Sequence, residues 1–273
     1  MKCEDAKMPV IRGRLRLAAG KTFYTNKRHL KWLFSGISIS SRQNEKLPYE
    51  CFTHGTPLLR KLEGLDMQLQ YNKIENLRIA VEKISLMTIR PGETFSFWKA
   101  IGKPTKQKGY QEGLILKNGK LTAGVGGGLC QLSNLIYWMT IHTPLTVTER
   151  HRHGYDVFPD SNRTQPFGSG ATCFYNYGDL MIRNDTDQAF QLFLEIDETN
   201  LKGTWLCEKE LEYRYEVYEK EHLIKPEYWG GYSRHNTLFR KKYDLTENQI
   251  DDEYVIENHA IMMYQPYLDS ANE

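Results

Sequence analysis

The chain has 273 residues, 40% of them apolar, which is enough for a sizeable core and too many for wholesale disorder. No stretch approaches the roughly 18 to 20 consecutive apolar residues of a membrane span, so no transmembrane segment is expected. The 36 basic and 34 acidic side chains nearly cancel and point to no partner, yet residues 1–50 carry eleven Lys/Arg against four Asp/Glu, and residues 201–273 carry nine against fifteen.

The start, Met1-Lys2-Cys3-Glu4-Asp5-Ala6-Lys7-Met8, lacks the apolar core of a secretory leader, so a cytoplasmic location is expected. The basic segment interleaves Phe23, Tyr24, Trp32 and Phe34 with Lys21, Lys27, Arg28, His29 and Lys31. It has no RNA-binding signature, so it reads as an extension packing on a core, with no nucleic-acid partner. Pro48 and Pro57 mark turns near its end.

Ile74, Leu77, Val81 and Ile84 recur at spacings of three and four and predict a helix within 58–89, stopped by Arg90-Pro91-Gly92-Glu93. Thr94 to Trp98 then predicts a short strand. Leu114–Lys117 and Lys120–Ala123 flank Asn118-Gly119, and Asn-Gly between apolar runs predicts a hairpin with a type I′ turn. After about residue 145 the texture is β: Thr146–Thr148, Ala171–Tyr177 and Leu180–Arg183 are short strand candidates. Ala189–Asp197 and Glu210–Tyr218 alternate apolar and polar residues with the period of half-buried strands, and Gly230-Gly231 marks a turn. The acidic end is thus the solvent face of strands.

The most informative segment is Gly124-Val125-Gly126-Gly127-Gly128-Leu129-Cys130-Gln131-Leu132-Ser133. Four glycines in five positions cost chain entropy and supply no side chain, so packing alone does not account for them. Leu129, Leu132, Leu135 or Ile136, and Met139 follow at helical spacing. The expected geometry is a tight loop feeding a helix with Cys130 in its first turn. A helix start carries partial positive charge, which lowers a thiol's pKa and favours the nucleophilic thiolate. The amides of Gly126, Gly127 and Gly128 could approach a substrate carbonyl as an oxyanion hole does, with Gln131 or Ser133 adding a polar contact. A dinucleotide loop would need glycine at Leu129, and a phosphate loop would need Gly-Lys-Ser/Thr.

Among the five cysteines, Cys3, Cys51, Cys173 and Cys207 read as small buried apolar groups, and without a CxxC pair neither a zinc ribbon nor a disulfide framework is indicated. A nucleophilic cysteine needs a base. Glu149-Arg150-His151-Arg152-His153 supplies two histidines at i and i+2, which on a strand face one side, while Arg150 and Arg152 could bind a carboxylate. A metal reading of the pair lacks further ligands.

Pro91-Gly92-Glu93-Thr94-Phe95-Ser96, Gly109-Tyr110, Gly126 to Ser133, Glu149 to His153 and Asp179-Leu180-Met181-Ile182-Arg183-Asn184-Asp185-Thr186 together resemble the VanW family, in its stand-alone form. The resemblance implies an α+β domain, β-rich in its second half, with a glycine loop feeding a central helix that starts at the motif cysteine. It divides the chain into a basic extension at 1–70, a family core at 71–200 and an acidic β-rich extension at 201–273. It implies a link to glycopeptide resistance and a cysteine acyltransferase or hydrolase, similar to L,D-transpeptidases, acting without a cofactor on a peptidoglycan peptide or precursor. Cys130 is then the nucleophile, His153 or else His151 the base, and Gly126 to Leu129 the donors. Many relatives carry an acidic residue where Gly168-Ser169-Gly170-Ala171 has glycine, so the resemblance supplies no carboxylate to orient the histidine. The rival expectation is a non-catalytic accessory protein whose loop holds a peptide or a carboxylate.

Overall fold

The computed structural model describes residues 12–59, 66–117, 119–157 and 165–266. Cys3, Asn118 and the start of the chain lie outside these residues. The helices are α1 (Arg14–Phe34), α2 (Met67–Ile84), α3 (Phe97–Ile101) and α4 (Leu129–Thr140). The strands are β1 (Ser41–Arg42), β2 (Tyr49–Pro57), β3 (Met87–Ile89), β4 (Thr94–Ser96), β5 (Glu112–Lys117), β6 (Lys120–Val125), β7 (Thr146–Glu149), β8 (Tyr155–Asp156), β9 (Met181–Arg183), β10 (Phe190–Ile196), β11 (Asn200–Cys207), β12 (Tyr213–Pro226), β13 (Tyr232–Asp244) and β14 (Gln249–Met262). The fold is α+β, and every regular element after α4 among the described residues is a strand.

Helix α2 starts where the Asp66 carboxylate accepts the Gln68 amide, and it buries Leu77, Ala80, Val81 and Ile84 on the face the sequence spacing predicts. An antiparallel sheet in the order β1-β3-β10-β11-β2 packs on α2 and α4. Trp205 of β11 is fully buried and donates its indole N–H to Thr140 Oγ1 of α4 at 3.2 Å. Gly203 of the same strand faces Met139, whose Cε would lie 2.6 Å from a Cβ at that position. Strands β2 and β11, on either side of the boundaries expected at 70 and 200, are neighbours in this sheet.

The last three strands form a second sheet with β8, in the order β12-β13-β14-β8. Its acidic residues face a basic central strand. Arg240, Lys241 and Lys242 of β13 stand opposite Glu253, Asp252 and Asp251 of β14, and the Arg240–Glu253 ion pair is 2.6 Å. Arg240 also donates to the carbonyl of Thr143 at 2.7 Å, tying this sheet to the end of α4.

Three local expectations are corrected. Helix α2 ends at Ile84, and Arg90–Glu93 turns the chain between β3 and β4 instead. The strand at Thr94 stops at Ser96, whose hydroxyl accepts the Lys99 amide and starts α3, so Phe97 and Trp98 are helical. Ala171–Tyr177 is not a strand. Its backbone is held by other groups: Asn134 Oδ1 takes the Ala171 amide, Ser133 Oγ donates to the Ala171 carbonyl, and the Thr172 amide donates to the His151 carbonyl. The hairpin about 118–119 forms as expected, with Leu116 opposite Leu121 and Gly119 at φ 75°.

Candidate active site

The glycine loop is built on backbone contact. Gly126 and Gly128 have φ of 76° and 95°, a region that side chains disfavour. A Cβ on Gly127 would overlap the carbonyl group of Gly113, and one on Gly128 would overlap the Lys73 side chain. Asn76, buried in α2, clamps the loop by donating to the Gly127 carbonyl at 2.9 Å. Most loop amides are engaged: Gly126 N–H donates to Gln111, Gly127 to Gly124 and Gly128 to Leu114. The Leu129 amide makes a longer bond, 3.5 Å, to the Gly126 carbonyl, so the donors expected at Gly126 to Leu129 are turned to the fold, and the next amide along the helix start is that of Cys130.

Cys130 stands in the first turn of α4, as expected, and is half-buried. The expected lowering of its pKa is not found. Burial pushes the thiol above its ordinary value, and a hydrogen bond from the Cys173 backbone amide only partly offsets this. Cys173 is buried beside it, its own thiol held well above the ordinary value by burial and by Cys130. Ser133 is fully buried and serves the 171–173 segment, and Gln131 donates to Thr56 Oγ1 and the Pro57 carbonyl, binding α4 to the end of β2.

His151 and His153 flank the loop that Phe174 and Gly178 close. Gly178 lies against the His151 ring, and the His153 ring meets Phe174 edge-on at 5.8 Å. His151 Nε2 is 2.9 Å from Glu149 Oε1. The His153 imidazole is kept neutral to lower pH by burial and by Arg152. Among the described residues, neither ring hydrogen-bonds Cys130 Sγ. The link between thiol and histidines is segment 171–174, which touches α4 through Ser133, Asn134 and Cys130 and touches His151 through Thr172.

Glu149 is the residue the sequence reading missed. Besides His151, it binds Arg28 of α1 through both oxygens, at 2.6 and 2.5 Å, and accepts the Asp179 amide at 3.0 Å. Burial opposes its ionisation, but the bonds from His151 and Arg28 prevail and bring its pKa down to about 2. Glu149 thus sets a carboxylate against the imidazole two residues along the chain, a signal legible as Glu-x-His at the end of a strand.

Asp179 lies behind Glu149, fully buried, accepting Ser96 Oγ at 2.5 Å and the Trp98 amide at 3.0 Å. Burial lifts its pKa to about 6, against those hydrogen bonds. A raised folded-state pKa gives stability that is present below the ordinary carboxylate pKa and lost as pH rises through about 6. Asp179→Asn, which keeps an acceptor for Trp98, is therefore expected to raise the urea midpoint at pH 8 relative to wild type by more than it does at pH 4.5. An equal change at both pH values would contradict a carboxyl titrating in this window.

Arg150 is engaged with the fold: it donates to the carbonyls of Gly168 and Gly170 and to Asn258 Oδ1, with its guanidinium 4.8 Å over the Tyr137 ring. A cleft of about 370 Å³ opens beside it, lined by Tyr137, Leu145, Glu149, Arg150, Arg240 and Tyr254 among others, and Cys130 is not part of its wall. Among the described residues no three His, Cys, Asp or Glu side chains are gathered to hold a metal ion, and no helix is long and apolar enough to cross a membrane.

Residues 72–206 match the family described as VanW like protein. The chain is 37% identical to the Vancomycin B-type resistance protein VanW of Enterococcus faecalis over 196 residues, 71% of this chain and 70% of that one. The chain belongs to the VanW family. It is also 30% identical to the uncharacterized protein YoaR of Bacillus subtilis over 117 residues, 43% of this chain and 37% of that one. No solved structure matches. The VanW segment holds Cys130, Glu149, His151 and Asp179, whereas Arg28, the cation on Glu149, lies outside it.

Proposed function

We propose that this VanW-family protein is a cysteine acyltransferase or hydrolase acting on peptidoglycan peptides, serving glycopeptide resistance as the name of its Enterococcus faecalis relative suggests. The observation that carries the reading is the Glu149–His151 pair at 2.9 Å, joined through segment 171–174 to a cysteine at the start of a helix. Glu149 fixes which ring nitrogen of His151 is bonded and stabilises the imidazolium. The Cys130 proton passes to His151, and the thiolate sulfur bonds to the carbonyl carbon of an amide. The Cys130 amide holds the resulting oxyanion, and the amine leaves with the proton from His151. Water or a second amine then cleaves the thioester, giving hydrolysis or transpeptidation. His153, unbonded and neutral, is the alternative base.

A raised thiol pKa and engaged loop amides favour a second reading, an accessory protein that holds a peptide without cleaving it. Incubation with peptidoglycan stem peptides and intact-mass measurement separates the two. Catalysis predicts an acyl adduct on wild type that is absent from Cys130→Ala and strongly reduced in His151→Ala, where the thiol has lost its base. Binding without any adduct supports the accessory reading.

A further inference from the structure

Helix α1 presents two unlike faces. Arg28 and Trp32 turn inward, the first onto Glu149 and the second against the core, beneath the Lys99 ammonium. Leu15, Phe23, Leu30, Leu33 and Phe34 point outward, and at about 100° per residue they fall within an arc of roughly 100°. They are exposed: Leu15 by 89%, Phe23 by 61%, Leu33 by 74% and Phe34 by 79%. Apolar side chains are common singly on surfaces, but five on one stripe of one helix mark a face made to be covered.

The charge of the helix says by what. Residues 14–34 contain Arg14, Arg16, Lys21, Lys27, Arg28 and Lys31 and no Asp or Glu. Among the described residues, Arg28 alone of these six is buried and paired with a carboxylate. Arg16, Lys27 and Lys31 border the apolar stripe on one side. A cationic border beside an apolar stripe with two phenylalanines is the chemistry of a helix lying in the interface of an anionic bilayer, its rings and leucines among the acyl chains and its ammonium groups at the headgroup phosphates. A cleft of a protein partner would satisfy the leucines but would give no reason for a helix free of acidic residues.

We propose that α1 docks the protein peripherally on an anionic membrane surface through Leu15, Phe23, Leu30, Leu33 and Phe34. The helix does not span, since none of the described helices is long and apolar enough. The proposal is independent of the chemistry at Cys130.

The test is co-sedimentation of the full chain with vesicles of phosphatidylcholine alone and with about 30 mol % phosphatidylglycerol. Docking predicts binding to the anionic vesicles that falls with added salt, and little binding to the neutral ones. Leu30→Glu/Leu33→Glu and Lys27→Glu/Lys31→Glu are each expected to lower the partition coefficient by at least ~10-fold. All four positions are exposed, so an unchanged urea midpoint shows that the loss is one of docking. Binding to neither vesicle overturns the proposal, as does binding that survives both double variants. Self-association of the wild type, lost in Leu30→Glu/Leu33→Glu and unaffected by vesicles, would assign the stripe to a second copy of the chain and overturn it too.

Discussion

Gly127→Ala is expected to lower the free energy of unfolding by about 3 kcal/mol or more, a large part of the ~5–15 kcal/mol that holds a domain together. The added methyl would overlap the carbonyl carbon and oxygen of Gly113, which are backbone and cannot rotate away. The opposite substitution meets the same wall, because a Cβ on Gly113 would lie 2.6 Å from the Gly127 oxygen. That oxygen also accepts Asn76, so a shift of the loop would strand a buried amide. Gly154→Ala is the control. Its φ is not in the left-handed region and nothing stands within 4 Å of the new methyl, so a change within ~0.5 kcal/mol is expected. Urea midpoints of the two variants check both statements. A Gly127→Ala protein as stable as wild type would show that the loop does not rest on Gly113.

Arg28→Ala is expected to cost about 3 kcal/mol at neutral pH, because it leaves Glu149 largely buried without its cation. The pH dependence distinguishes this from loss of packing. Glu149 has a folded-state pKa of about 2, below its ordinary value, so its contribution is present above the ordinary carboxylate pKa and is lost as pH falls toward 2. The gap between wild type and Arg28→Ala should therefore narrow as the pH is lowered from 5 toward 2. Arg28→Lys keeps the charge but not the two-pronged geometry and should fall between them. A gap independent of pH would mean that Arg28 matters for its packing and not for its charge on Glu149.

Local chemistry made part of this fold legible. The apolar runs on either side of 118–119 specify a hairpin, the run from Gly124 to Gly128 specifies a loop, and the spacing of Leu77, Val81 and Ile84 specifies a buried helical face. Each depends on residues close together in the chain, and each forms. What escaped depends on distance. Ala171–Tyr177 has the composition of a strand, but its amides and carbonyls are taken by Asn134, Ser133 and His151, so it is held as an irregular segment beside Cys130. Arg28 read as one of many cations in a basic start, since nothing local reveals a carboxylate 121 residues away. Cys130 was legible as a position, at the start of a helix. Its pKa was not, because the helix start acts locally while burial is set by the whole fold. Glu149 stands in the Glu149–His153 motif, which drew notice for its histidines and arginines, yet its place two residues before His151 at the end of β7 is what aims it at the imidazole.

In the proposed reaction His151, oriented by Glu149, activates Cys130. The most direct measurement is the rate of alkylation of Cys130 by iodoacetamide as a function of pH, followed by peptide mass, in wild type, His151→Ala and His153→Ala. Activation by His151 predicts a reactive limb near neutral pH in wild type that His151→Ala abolishes and His153→Ala retains, leaving in the former only the alkaline limb of a thiol raised by burial. Identical profiles in wild type and His151→Ala would contradict it.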